Sequence, residues 1–130
     1  MQNKTKILVV DDDEISRELL RIAFHSHTDW EVFEAADALE AINSIKTVKP
    51  DIIILDIMMP GDKDGLDVCD FVKLSPEFKS TFVVLLTAKD KKTDVYRGME
   101  TRANMYLTKP FSPKGIVDIV TNYNANKLKK

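Results

Sequence analysis

The sequence has one cysteine, Cys69, and only two histidines, His25 and His27. A lone thiol excludes an intramolecular disulfide, and its spacing with Leu66 and Val72 places it on the apolar side of a helix as a small buried hydrophobe. His25 and His27 stand near the end of a predicted first helix without partner ligands, so they are expected to be ordinary polar surface residues. Long hydrophobic runs are also missing. The longest, Ile52 to Leu55 and Phe82 to Leu86, fall far short of the roughly 18 residues that a membrane span needs. Acidic residues follow the first four-residue apolar run, which is not the pattern of a secretory leader, so a cytoplasmic protein without membrane insertion is expected. Neither sign of charge is in large excess: 19 Lys and Arg stand against 21 Asp and Glu, a formal charge of −2. No basic stripe or helix-turn-helix pattern is present, so direct contact of these residues with nucleic acid is not expected. The 130 residues suit a single domain spanning 1–130, with a frayed polar tail over 124–130.

Short apolar runs alternate with amphipathic stretches, the pattern of repeated βα units around a parallel sheet. Strands are predicted at Ile7 to Val10, Trp30 to Ala35, Ile52 to Leu55, Phe82 to Leu86 and Met105 to Thr108. The third and fourth are apolar without alternation, as suits central strands covered on both faces. On the first helix Ile15, Leu19, Ile22 and Ala23 recur at helical spacing and predict the buried stripe. Ala38, Ile42 and Ile45 mark a second helix, Leu66 to Leu74 a third, and a weaker stretch over about 91–101 a fourth. The last helix has Ser112 as N-cap, Pro113 at its first position, and Ile116, Ile119, Val120 and Tyr123 on one side. The fold class is therefore α/β, a doubly wound five-stranded parallel sheet with five helices and the flavodoxin-like strand order 2-1-3-4-5.

In that order strands one and three lie side by side, and ligands bind outside their carboxyl ends, where the winding reverses. Asp11, Asp12 and Asp13 follow strand one, and Asp56 follows strand three. Converging carboxylates repel one another unless a cation lies between them, and an all-oxygen donor set favours Mg²⁺. Asp13 alone is expected to cap the next helix. Thr87 ends strand four and Lys109 ends strand five, at the same edge of the sheet. A hydroxyl and a mobile ammonium suit the oxygens of a phosphoryl group, and a carboxylate supplies the nucleophile.

Four segments together resemble a known family. They are Ile7-Leu8-Val9-Val10-Asp11-Asp12-Asp13, Pro50-Asp51 through Asp56 to Met58-Met59-Pro60-Gly61, Leu86-Thr87-Ala88, and Tyr106-Leu107-Thr108-Lys109-Pro110-Phe111. The ordered set is similar to the response-regulator receiver domains of two-component signalling and covers the chain from Lys6 to about Tyr123. The resemblance implies that Asp56 is the phosphoacceptor and that Mg²⁺ is held by Asp12, Asp11, Asp56 and the backbone carbonyl of Met58. It also implies phosphoryl contacts from Thr87 and Lys109, a switch in which Thr87 and Tyr106 move together, and a cis Lys109-Pro110 bond. The implied donor is a histidine kinase or histidine phosphotransfer protein. The implied output, to a downstream protein or output domain, uses the face formed by the 91–101 stretch, strand five and the last helix.

Such a domain catalyses its own phosphorylation and dephosphorylation and has no separate turnover substrate. Two departures from the family pattern stand out: the loop Met59-Pro60-Gly61-Asp62-Lys63-Asp64-Gly65 is one residue longer, and Arg102 replaces a common glycine. The alternative reading is a small Mg²⁺-dependent phosphatase of the haloacid-dehalogenase type with Asp11 as nucleophile. Asp11-Asp12-Asp13-Glu14-Ile15 imitates its motif only in part.

Overall fold

The computed structural model describes residues 4–59, 61–88 and 103–128. Its strands are β1 (Thr5–Val10), β2 (Trp30–Ala35), β3 (Ile52–Asp56), β4 (Phe82–Ala88) and β5 (Met105–Lys109). The described helices are α1 (Glu14–Phe24), α2 (Ala38–Val48), α3 (Gly65–Leu74) and α4 (Pro113–Leu128). All neighbouring strands pair in parallel in the order β2-β1-β3-β4-β5, as predicted. The helix expected over about 91–101 and the Arg102 turn lie outside the described residues.

Successive side chains of a strand face opposite sides of the sheet, and this alternation sorts β1, β3 and β4 into two cores. Leu8, Val10, Ile53, Leu55, Val83 and Leu85 pack with Ala41 and Ile45 of α2 and Val68, Cys69 and Val72 of α3. Ile7, Val9, Ile52, Ile54, Val84 and Leu86 pack with Leu20 and Phe24 of α1 and Ile116 and Val120 of α4. Cys69 is thus the buried hydrophobe expected of it. Each buried Leu, Ile or Phe contributes about 1.5–3 kcal/mol relative to exposure, so the central strands anchor the fold on both faces.

The helix ends follow the local chemistry. Asp13 accepts from the Ile15 N–H and the Ser16 hydroxyl, which confirms it as the cap of α1. Asp64 and Asp67 form a reciprocal capping box at the start of α3. The Ser112 hydroxyl accepts from the Gly115 N–H at the start of α4, as predicted.

Three expectations need correction. On α1 the buried residues are Leu20 and Phe24, whereas Ile15, Leu19 and Ile22 are exposed. Two apolar stripes overlap on this helix, and the one bearing Phe24 docks because that ring meets Trp30 edge-on at 5.5 Å between centroids. His27 is half-buried and stacks on Trp30 at 3.8 Å, so it is not a plain surface residue. Finally, α4 runs to Leu128, through most of the segment expected to fray.

Candidate functional site

The carboxyl ends of β1 and β3 are neighbours, with Val10 in register with Leu55. The loop after β1 therefore carries Asp11 and Asp12 to the side of Asp56. Their carboxylate oxygens lie within 4.8 Å of one another. Asp11 is 1 % exposed and Asp56 4 % exposed, while Asp12 is open to solvent. Lys109, at the end of β5, donates from its ammonium to Asp11 Oδ2 at 3.0 Å and to Asp56 Oδ2 at 3.2 Å. The Lys109-Pro110 peptide is cis, as expected.

These charges shape one another. Burial pushes the Asp56 carboxyl up to about 6, and the neighbouring Asp11 charge pushes the same way, against the opposing pull of Lys109 and the Met58 N–H. Burial works to lower Lys109, but the hydrogen bond to Asp11 and the charge of Asp56 outweigh it, so the ammonium is held above its ordinary value. Three carboxylates against one ammonium leave two negative charges in a water-facing crevice. An oxygen-only donor set with that charge and an open rim at Asp12 fits Mg²⁺, which keeps several waters and takes few protein carboxylates.

The other predicted residues stand in the loop after β3, on β4 and on β5. Met58 donates its N–H to Asp56 Oδ1 at 3.2 Å, and its half-exposed side chain lies at the rim. Thr87 follows Leu86, the register partner of Asp56, and is buried, but its hydroxyl donates across to the carbonyl of Leu107 on β5 at 3.4 Å. Tyr106, the residue before Leu107, is 39 % exposed.

Two features escaped the sequence reading. Gly65 packs so tightly that a Cβ there would lie 2.1 Å from the Asp56 carbonyl oxygen. The glycine itself was visible in the motif, but nothing in one chain signals what its α-carbon touches. In the longer loop Gly61, Asp62 and Lys63 are exposed, and Gly61 takes φ +103. A second missed feature is Arg17 on α1, which donates to the carbonyl of Asp11 at 2.7 Å and to Glu34 on β2 at 3.2 Å. The hydrogen bond from Arg21 holds the Glu34 carboxyl below its ordinary range against partial burial, and Arg17 adds to the effect.

Comparison with known proteins agrees with this geometry. Residues 7–121 match the family model for the response regulator receiver domain. The transcriptional regulatory protein ResD of Bacillus subtilis is 40% identical over 115 residues, 88% of this chain and 46% of that protein. The alkaline phosphatase synthesis transcriptional regulatory protein PhoP of the same organism is 41% identical over 112 residues, 85% of this chain and 45% of that protein. The chain therefore spans just under half the length of these relatives. Among solved structures, a putative response regulator from Chloroflexus aurantiacus superposes with a TM-score of 0.82 at 35% identity, over 92% of this chain and 97% of that one.

Proposed function

The chain belongs to the response regulator receiver family, and on that footing we propose that residues 1–130 form a single receiver domain whose phosphoacceptor is Asp56. The carrying observation is the Lys109 ammonium shared between Asp56 and Asp11 inside the three-carboxylate cluster. In the transfer step an Asp56 carboxylate oxygen bonds to the phosphorus of a phosphohistidine. The P–N bond breaks, and the imidazole leaves with the bonding pair and takes up a proton. A carboxyl at about 6 is roughly ten-to-one ionised at pH 7 and so is available as nucleophile.

Asp12, Asp11, Asp56 and the Met58 carbonyl would hold Mg²⁺, which when bound neutralises charge on the phosphoryl oxygens. Lys109 moves from its carboxylate partners toward the new oxygens, and the Thr87 hydroxyl turns from Leu107 toward them. Water then cleaves the acyl phosphate, so the domain resets itself without a separate substrate. The donor is a histidine kinase or phosphotransfer protein, whose histidine must reach the Asp56 rim. The exposed Ile15, Leu19 and Ile22 on α1, which starts at that rim, offer it apolar ground.

Output passes through the face that includes Tyr106, β5 and α4 to a downstream protein or output domain, and these residues do not themselves contact nucleic acid. Among the described residues no helix is long and apolar enough to cross a membrane, and we place the protein in the cytoplasm.

Incubation with acetyl phosphate and Mg²⁺, followed by mapping of the modified residue, tests this reading. We expect one phosphoryl group on Asp56, and none without a divalent ion or in Asp56→Asn. A label on Asp11 would instead support the dehalogenase-type phosphatase.

A further inference from the structure

We propose that Arg17 is a positioning residue for the magnesium site, holding the Asp11–Asp12 peptide in the orientation that presents both acids to the ion. The inference rests on the metal reading given above. It starts from how Asp11 is fixed. Its main-chain N–H donates to the carbonyl of Ala35 at 3.1 Å, and its main-chain carbonyl accepts from Arg17 Nη1 at 2.7 Å. Arg17 in turn donates from Nε to Glu34 Oε1 at 3.2 Å. The backbone of Asp11 is thus tied to two successive residues of β2, directly to Ala35 and through a guanidinium to Glu34.

Glu34 is a firm anchor, because Arg21 grips both its oxygens at 2.7 and 2.8 Å. The Asp11 side chain is held as well, by the Asp13 N–H on Oδ1 at 2.9 Å and by Lys109 on Oδ2 at 3.0 Å. The Asp12 side chain, by contrast, is exposed at the rim.

A peptide unit is planar, but it can rotate as a whole through the soft dihedrals on either side of it. Fixing the Asp11 carbonyl removes that rotation, and with it the main freedom of the chain where it enters Asp12. Arginine suits the task because its fork of donors is rigid and can span two acceptors at a set angle, whereas a lysine ammonium is a point charge. The Arg17 side chain is only 17% exposed, so the clamp is partly shielded from competing water.

Charge and positioning make opposite demands, which lets them be separated. A guanidinium beside three carboxylates repels a dication, so if only its charge mattered, Arg17→Met would bind Mg²⁺ more tightly. Positioning predicts the reverse. Groups that orient metal ligands typically change affinity by about 10–100-fold, and that is the loss we expect for Arg17→Met.

The experiment is Mg²⁺ titration calorimetry on the full chain, with thermal unfolding in EDTA as the measure of fold. Asp12→Ala is the control for the site itself: if it binds Mg²⁺ as the parent does, the metal reading falls and this inference with it. With that control passed, weaker binding by a folded Arg17→Met, and by Arg17→Lys although its charge is kept, supports the clamp. Unchanged or tighter binding in Arg17→Met overturns it. Should Arg17→Met not fold, Glu34→Gln and Arg17→Lys decide on the same readout, parental affinity in both being the overturning result.

Discussion

The Lys109 ammonium stands 3.0 Å from Asp11 Oδ2 and 3.2 Å from Asp56 Oδ2, so one side chain ties the ends of β5, β1 and β3 together. It does not neutralise them. Asp56 remains raised to about 6 from an ordinary 3.8, chiefly by burial and then by Asp11. A carboxyl raised in the folded state binds its proton more tightly there than in the unfolded chain, so ionising it costs stability. That cost is complete above about pH 6 and is relieved as pH falls toward 4. We expect the melting temperature in EDTA to rise from pH 7.5 to pH 5, by an effect on the order of 1 kcal/mol. Asp56→Asn should start higher at pH 7.5 and lose that dependence. Parallel profiles for the two proteins, followed by circular dichroism, would show that Asp56 is not the titrating group.

Gly65 sets how closely α3 approaches Asp56. A Cβ there would meet the Asp56 carbonyl oxygen at 2.1 Å and Ile57 Cα at 2.8 Å, and both belong to backbone that cannot swing aside. Gly65→Ala must therefore displace Asp56 or the start of α3, at the upper end of the roughly 1–3 kcal/mol that overpacking costs. Gly115, inside α4, is the contrast, since its nearest neighbour would be the Ser112 Cβ at 3.4 Å, an ordinary contact. Gly115→Ala should gain about 0.5–1 kcal/mol from helix propensity. Denaturant unfolding of both variants checks the pair, and equal stabilities would contradict the packing described here.

The main outline of this site was legible because each part is local in sequence. Acids after β1 and β3, Thr87 after Leu86 and Lys109 before Pro110 all sit at strand ends, and parallel order alone brings strand ends together. The second layer was hidden because it depends on packing. Arg17 lies six positions after Asp11 on a helix whose rotation decides what it touches, and that rotation was misjudged. Ile15, Leu19 and Ile22 read as the buried stripe, yet α1 turns Leu20 and Phe24 inward, and the same turn brings Arg17 over the Asp11 carbonyl. Periodicity shows that a helix has an apolar side; with two adjacent apolar stripes it cannot choose between them.

The Met58 side chain should govern the lifetime of the phosphorylated state. Its N–H is spent on Asp56 Oδ1, while its thioether, 47% exposed at the rim, cannot orient a water for attack. An amide at this position can. One hydrogen bond of about 1 kcal/mol in the transition state corresponds to roughly fivefold in rate, so Met58→Asn should lose its phosphoryl group several times faster than the parent. Met58→Leu should decay like the parent. Phosphate release after removal of the donor measures all three, and equal rates for Met58→Asn and the parent would remove Met58 from the path of water.

Thr87 links the acids to β5. Its hydroxyl is buried and donates to the Leu107 carbonyl at 3.4 Å, a long bond that is readily exchanged for one to a charged phosphoryl oxygen. If it turned toward a phosphoryl group on Asp56, the Leu107 carbonyl would lose a partner next to Tyr106, and a change on β3 would be felt on β5, two strands away. A swing from 1:99 to 99:1 between two conformations requires about 5.5 kcal/mol of differential interaction, and Thr87 would supply only part of that. Lys109, bound to Asp56 and at the end of β5, would supply another part. We therefore expect Thr87→Ala to accept phosphate at Asp56 while the amide shift changes at Tyr106 and over 91–105 fall to less than about half of the parental values. Lys109→Met should reduce the same shifts and also slow uptake, because it removes a charge from the transfer step itself. If Thr87→Ala gave the full set of distal shifts on phosphorylation, the hydroxyl would be a ligand of the phosphoryl group and no part of the switch.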